Sequence, residues 1–168
     1  MINVVIYEPE IPQNCGNIMR TCAGTDVKLH LIKPLGFSLD EKAVRRSGAN
    51  YVENCDYIIY EDYKDFETKN TGEFYFLENF GNKTYSDVDY TNKEKNIYLI
   101  FGSESSGIPK EIIKPHFERC LRIPTNNKVR SLNLSNTVAL VVYEVLRQQN
   151  FNELDLYDTI KGKNYINE

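Results

Sequence analysis

Short apolar runs alternate along the chain with helix-like and polar stretches. "INVVIY" (Ile2–Tyr7) is β-branched and aromatic, as in a strand buried in a parallel sheet. After "EPEIPQ", Asn14 is placed to cap a helix over Cys15–Gly24, with Gly24 as its stop. "KLHLIK" (Lys28–Lys33) reads as the next strand and "SLDEKAVRRSG" (Ser38–Gly48) as a helix from cap to glycine stop. "YIIY" (Tyr57–Tyr60) and "FYFL" (Phe74–Leu77) read as strands flanking an exposed acidic helix. "NIYLIF" (Asn96–Phe101) is a strand ending at Gly102, and Pro109 suits the first turn of a short helix. "RCLRIP" (Arg119–Pro124) predicts a last strand, and "LNLSNTVALVVYEVLRQQ" (Leu132–Gln149) predicts the longest helix. That helix is apolar nearly all round, so it belongs in a core or a subunit interface.

Strands alternating with helices imply an α/β fold, a parallel sheet flanked by helices on both faces. Such sheets bind ligands at the carboxyl ends of their strands. Three distinctive loops leave those ends here: "EPEIPQNCGNIMR", "FGSESSGIP" and "RIPTNNKVRSLNLSN". No internal repeat and no Pro-, Gly- or Ser-rich linker divides the chain, so residues 1–168 read as a single domain.

The net charge of −4 argues weakly against a nucleic-acid partner, but its distribution changes that picture. Glu53–Glu73 holds seven acids against two lysines, whereas Lys110–Arg130 holds six basic residues against two acids. A local basic surface is therefore compatible with an acidic chain. The four cysteines form no C-x-x-C pair and the two histidines lie far apart in sequence, which is poor material for a zinc site or a disulfide framework. No metal is implied. The start carries no signal-peptide pattern and no apolar run approaches the roughly 20 residues that span a bilayer, so no membrane partner and a cytoplasmic location are expected.

Gly102 and Gly107 have the spacing that opens a phosphate-binding loop. Ile108 and Pro109 follow where that loop needs Lys and then Ser or Thr, and Glu104 would repel a phosphate. Glu104 is instead suited to accept from backbone donors or to pair with an arginine such as Arg20. In the first loop, helical spacing sets Gly16, Asn17, Arg20 and Gly24 on one face, with Ile18 and Cys22 roughly opposite. Two glycines in so short a helix point to close approach of a backbone or a substrate. In the third loop Ser131, Asn133, Ser135 and Asn136 cluster where one cap would suffice, the mark of a binding site.

"N-x-G-N-I-x-R", "F-G-x-E-x-x-G-I-P" and "R-I-P-x(5)-R-S-L-N-L-S-N", in this order, resemble the three motifs of the trefoil-knotted SPOUT RNA methyltransferases. Over about Ile2–Asn150 the chain looks most like the short branch without an added RNA-binding domain. That branch comprises the tRNA (cytidine/uridine) 2'-O-methyltransferases of the wobble nucleotide of certain leucine tRNAs. The resemblance implies a carboxyl-terminal trefoil knot, which general connection rules make exceptional; pattern alone predicts an unknotted doubly wound sheet. It also implies a homodimer, tRNA as partner, and S-adenosylmethionine as methyl donor with S-adenosylhomocysteine as product. By the same resemblance, Leu77, Gly102, Glu104, Ile123, Ser131 and Asn133 bind the donor, and Asn17, Arg20, Arg46, Arg130 and Tyr143 face the RNA.

Arg20 is the catalytic residue that the resemblance implies. A guanidinium, with a pKa above about 12, is a poor base. Arg20 is therefore read as gripping the adjacent phosphate and stabilising the developing alkoxide; the alternative is a base activated by the field of a neighbouring subunit. The basic patch expected for RNA is Arg20, Arg45, Arg46, Lys128 and Arg130, completed across the dimer. Ribosomal RNA as substrate, a non-catalytic knotted RNA-binding protein and a nucleotide-binding regulatory domain are the alternatives.

Overall fold

Among the described residues, seven strands form one parallel sheet in the order β3-β2-β1-β6-β4-β7-β5. They are β1 (Ile2–Tyr7), β2 (Lys28–Ile32), β3 (Tyr57–Tyr60), β4 (Glu73–Leu77), β5 (Lys83–Thr84), β6 (Ile97–Phe101) and β7 (Cys120–Arg122). The helices are α1 (Pro12–Thr25), α2 (Lys42–Ser47), α3 (Tyr63–Lys69), α4 (Lys110–Ile113) and α5 (Leu134–Gln148). This computed structural model describes residues 1–48 and 51–167. The six expected strands are present: β1 and β3 have the expected bounds, β4 begins one residue earlier, and β2, β6 and β7 are trimmed by one or two residues at an end. β5, two residues paired with Leu121 and Arg122, is too short to leave an apolar pattern.

Alternation along the strands splits the core into two layers. Val4, Ile6, Leu29, Leu31, Leu99 and Phe101 pack with Ile18, Cys22 and Val44 and with the Val138, Val141, Val142 and Val145 stripe of α5. Val5, Ile32, Phe76 and Ile100 point to the other face, where Phe66 of α3 and Ile113 of α4 cover them. A buried Val, Leu, Ile or Phe contributes about 1.5–3 kcal/mol, so both layers anchor the strands whose carboxyl ends carry the loops. α5 is half-buried rather than apolar all round, and Tyr143 stands out from it 49% exposed.

The first helix differs from expectation at both ends. It begins at Pro12, with Ile11 rather than Asn14 in the cap position, because proline is pre-organised for a first turn. It runs past Gly24 to Thr25 and is ended by Asp26 in the left-handed region at φ 53°. α2 starts later than expected, since Ser38–Glu41 folds into a turn in which the Ser38 N–H donates to Glu41 Oε1 at 2.9 Å. Gly16 does not share the exposed face of Asn17, Arg20 and Gly24. It is buried where α1 meets α2, and a Cβ there would fall 2.3 Å from the Val44 carbonyl oxygen. A Cβ at Gly24 would meet nothing within 4 Å.

Candidate active site

The loop after β6 is built by backbone approach. A Cβ at Gly102 would fall 2.3 Å from the carbonyl carbon of Gly107, so only glycine lets the turn close. Within it the Gly107 N–H donates to the Ser103 carbonyl at 3.0 Å, the Ser103 and Ser106 hydroxyls meet at 2.7 Å, and Gly107 takes φ +71°.

Two carboxylates then cross-link this loop to the one after β1. Glu104 accepts the backbone N–H groups of Glu10 at 2.9 Å and Ile11 at 3.1 Å, and the Asn14 side-chain amide at 3.0 Å. It thereby takes orphan donors at the start of α1, where an anion also suits the helix dipole. Glu10 reciprocates, accepting the N–H and the hydroxyl of Ser105. The third loop joins through Asn133, whose Nδ2 donates to Asn14 Oδ1 at 2.9 Å. Asn133 Oδ1 meanwhile caps α5 by accepting the N–H groups of Ser135 and Asn136 and the Ser135 hydroxyl. Glu104, Asn14 and Asn133 thus form one chain of hydrogen bonds through all three loops. Of the four polar residues at the start of α5, Asn133 serves both this tie and the cap, and the Ser135 hydroxyl supports it.

The loops wall a cavity of about 640 Å³ at the carboxyl ends of β4, β6 and β7. Leu77, Phe101, Leu121, Ile123 and Leu134 give it apolar surface; Gly102 to Gly107, Ser131 and Asn133 supply backbone and side-chain polar groups. All six residues expected to bind the donor line this one cavity, and so does Arg130. Asn14 and Glu78 also line it and were not anticipated. Asn14 resembles an ordinary helix cap in sequence, and Glu78 sits in "FYFLENFG", which has no motif spacing. Burial raises the Glu78 pKa above the ordinary carboxylate value, against the opposing pull of the Ile108 and Asn79 amides; Ile108 N lies 2.6 Å from its Oε1.

Asn17, Arg20, Arg46 and Tyr143 are exposed and lie outside the lining. The Arg20 guanidinium stands 5.6 Å from the centre of the Tyr51 ring, and none of the ion pairs among the described residues uses it. Its pairing with Glu104 is not formed; that carboxylate is occupied by the start of α1. The four cysteines are free and buried, and burial pushes the Cys15 thiol up to about 12. Among the described residues no group of three or more His, Cys, Asp or Glu is placed to hold a metal ion.

The profile of the SpoU rRNA Methylase family matches residues 1–143. A Listeria innocua protein that bears the provisional name tRNA (cytidine(34)-2'-O)-methyltransferase is 52% identical over 153 residues, 90% of each chain. A crystal structure from Bacillus anthracis, provisionally assigned as an RNA methyltransferase, superposes with a TM-score of 0.88 at 49% identity, covering 93% of this chain and 99% of that one. A structure reported for the 2-OH methylation of C/U34 on tRNA superposes at 0.83 with 34% identity, covering 90% and 98%.

Proposed function

The chain belongs to the SpoU rRNA methylase family, and on that premise we propose that it methylates the ribose 2'-hydroxyl of nucleotide 34, a cytidine or uridine, of tRNA. S-adenosylmethionine is the methyl donor. The observation that carries this reading is the single cavity at the carboxyl ends of the strands, walled by three loops that Glu104, Asn14 and Asn133 tie together. The names of the Listeria innocua relative and of the C/U34 structure support the position and the substrate.

The residues present fit such a donor. A cavity of about 640 Å³ is within the range that takes small-molecule cofactors. Its apolar walls suit an adenine, its backbone groups suit ribose and amino-acid polar atoms, and its two carboxylates suit a cation. When bound, the donor supplies a methyl group on positively charged sulfur, an electrophile. The protein's part is to hold the 2'-hydroxyl in line and to stabilise its loss of a proton. Arg20 fits that part: its guanidinium is exposed beside the Tyr51 ring and in none of the ion pairs among the described residues, which leaves its donors available to a phosphate or an alkoxide. Leu77, Gly102, Ile123 and Ser131 hold the donor largely through their backbone, Asn133 orders the third loop, and Asn17, Arg46, Arg130 and Tyr143 meet the RNA.

Arg20 lies outside the cavity of its own chain, so a homodimer in which each copy presents Arg20 to the other's cavity completes the site. Ile11 and Leu132, lining the cavity yet each 41% exposed, are suited to burial by that second copy. The reading keeps the chain as one domain with a carboxyl-terminal trefoil knot. The return of residues 123–133 to the cavity wall after β7 has crossed to the far side of β4 supports that thread. No helix among the described residues is long and apolar enough to cross a membrane; a tRNA substrate supports a cytoplasmic location.

The test uses methyl-labelled S-adenosylmethionine with total RNA, tRNA and ribosomal RNA together, from cells lacking the modification, leucine tRNAs among it. Label in a 2'-O-methylated nucleotide 34 is expected. Label confined to ribosomal RNA would contradict the substrate, and donor binding without label in any RNA would contradict the enzyme.

A further inference from the structure

Two carboxylates face the cavity, and their surroundings differ. Glu104 is engaged by three donors, the Glu10 and Ile11 N–H groups and the Asn14 amide, and acts as a structural clamp. Glu78, in the turn after β4, has no basic partner: none of the ion pairs among the described residues includes it. The Ile108 N–H donates to its Oε1 at 2.6 Å and stabilises the charged form. Space for it is cleared at the preceding residue, where a Cβ at Gly107 would fall 2.5 Å from that same oxygen. The loop after β6 is therefore shaped to admit a half-buried anion at the cavity wall without supplying a cation to balance it, and Arg130, the basic residue of the cavity lining, forms none of the ion pairs among the described residues. An unbalanced charge in a partly desolvated site is costly, and a cationic ligand relieves that cost.

We propose that Glu78 makes the cavity selective for charge, favouring the sulfonium donor over the neutral thioether product. This rests on the reading of the cavity as the S-adenosylmethionine site. Donor and product share the adenosine and the amino-acid end and differ in one methyl group and one positive charge. A carboxylate at the wall acts mainly on that charge, so it holds the donor and releases the product after transfer.

Calorimetric titration of S-adenosylmethionine and S-adenosylhomocysteine into wild type, Glu78→Gln and Glu78→Asp tests this without any RNA. Glu78→Gln keeps an acceptor for the Ile108 N–H and loses the charge. The ratio of donor to product affinity should fall by about fivefold or more, with product affinity changed less than about twofold. Glu78→Asp keeps the charge and should keep most of the ratio. Should the glutamine variant fail to fold, Glu78→Thr removes the same charge with a smaller side chain. Equal weakening of both ligands, or an unchanged ratio, overturns the selectivity while leaving the donor site standing. Wild-type protein that binds neither ligand overturns the donor site and the selectivity together.

Discussion

Asn14 and Glu104 show how position decides what a polar side chain does. Either alone reads as a local cap or a surface acid; placed at the ends of β1 and β6, which pair in parallel, they face each other across about 90 residues of sequence. His30 is set in the same way, but for stability. Its Nε2 lies 3.0 Å from Asn3 Oδ1 and its Nδ1 2.9 Å from the Tyr60 hydroxyl, among the rings of Tyr60, Phe66 and Tyr98. Burial first, then Lys28, lowers its pKa to about 4 from an ordinary 6.5, with Asp56 opposing. The unfolded chain therefore binds this proton more readily than the folded one, so the contribution is fully present above pH 6.5 and is lost as pH falls toward 4. The loss amounts to about 3 kcal/mol. Denaturant titrations at intervals from pH 7.5 to pH 4 should show wild type losing stability relative to His30→Gln over that window; parallel curves would remove His30 from the account.

At the scale of elements, α1 joins the fold to the site, and its two glycines answer different needs. Gly16 lies against the α2 backbone, so Gly16→Ala should push α1 from α2 and lower the melting temperature by several degrees. Gly24 is exposed with open space around it, so Gly24→Ala should stabilise the isolated chain by about 1 kcal/mol. A Gly24→Ala protein that instead lost dimerisation or tRNA affinity, by sedimentation or filter binding, would show that a second body packs there. The strands and the three loops were legible in sequence because β-branched runs and glycine spacing are local signals. The ends of α1 were not, because Asn14 looks like a cap until its partners on other strands are known, and a left-handed Asp26 leaves no mark of its own. Glu78 escaped for the same reason: its meaning comes from Gly107 and Ile108, which only the sheet brings beside it.

For the whole molecule, the separation between Arg20 and the cavity of its own chain carries the largest consequence. If a second copy supplies the guanidinium, Arg20→Ala mixed with Gly102→Ala, a variant whose loop cannot close, should recover methyl transfer that neither shows alone. Refolding the two variants together and assaying label in tRNA checks this; no recovery, with mixed dimers demonstrated, would place Arg20 and the donor in one chain. If RNA is held by the proposed basic residues Arg20, Arg45, Arg46, Lys128 and Arg130 of this acidic chain, affinity should weaken steeply with salt. The central claim is a division of labour in which the tied loops hold the donor and Arg20 performs the transfer. One measurement tests it most directly: donor affinity and single-turnover methyl transfer to tRNA, side by side, for wild type and Arg20→Ala. The account predicts an S-adenosylmethionine affinity within about twofold of wild type and transfer reduced at least a hundredfold, about 2.7 kcal/mol or more in the barrier. Donor affinity lost together with transfer, or transfer retained, would contradict it.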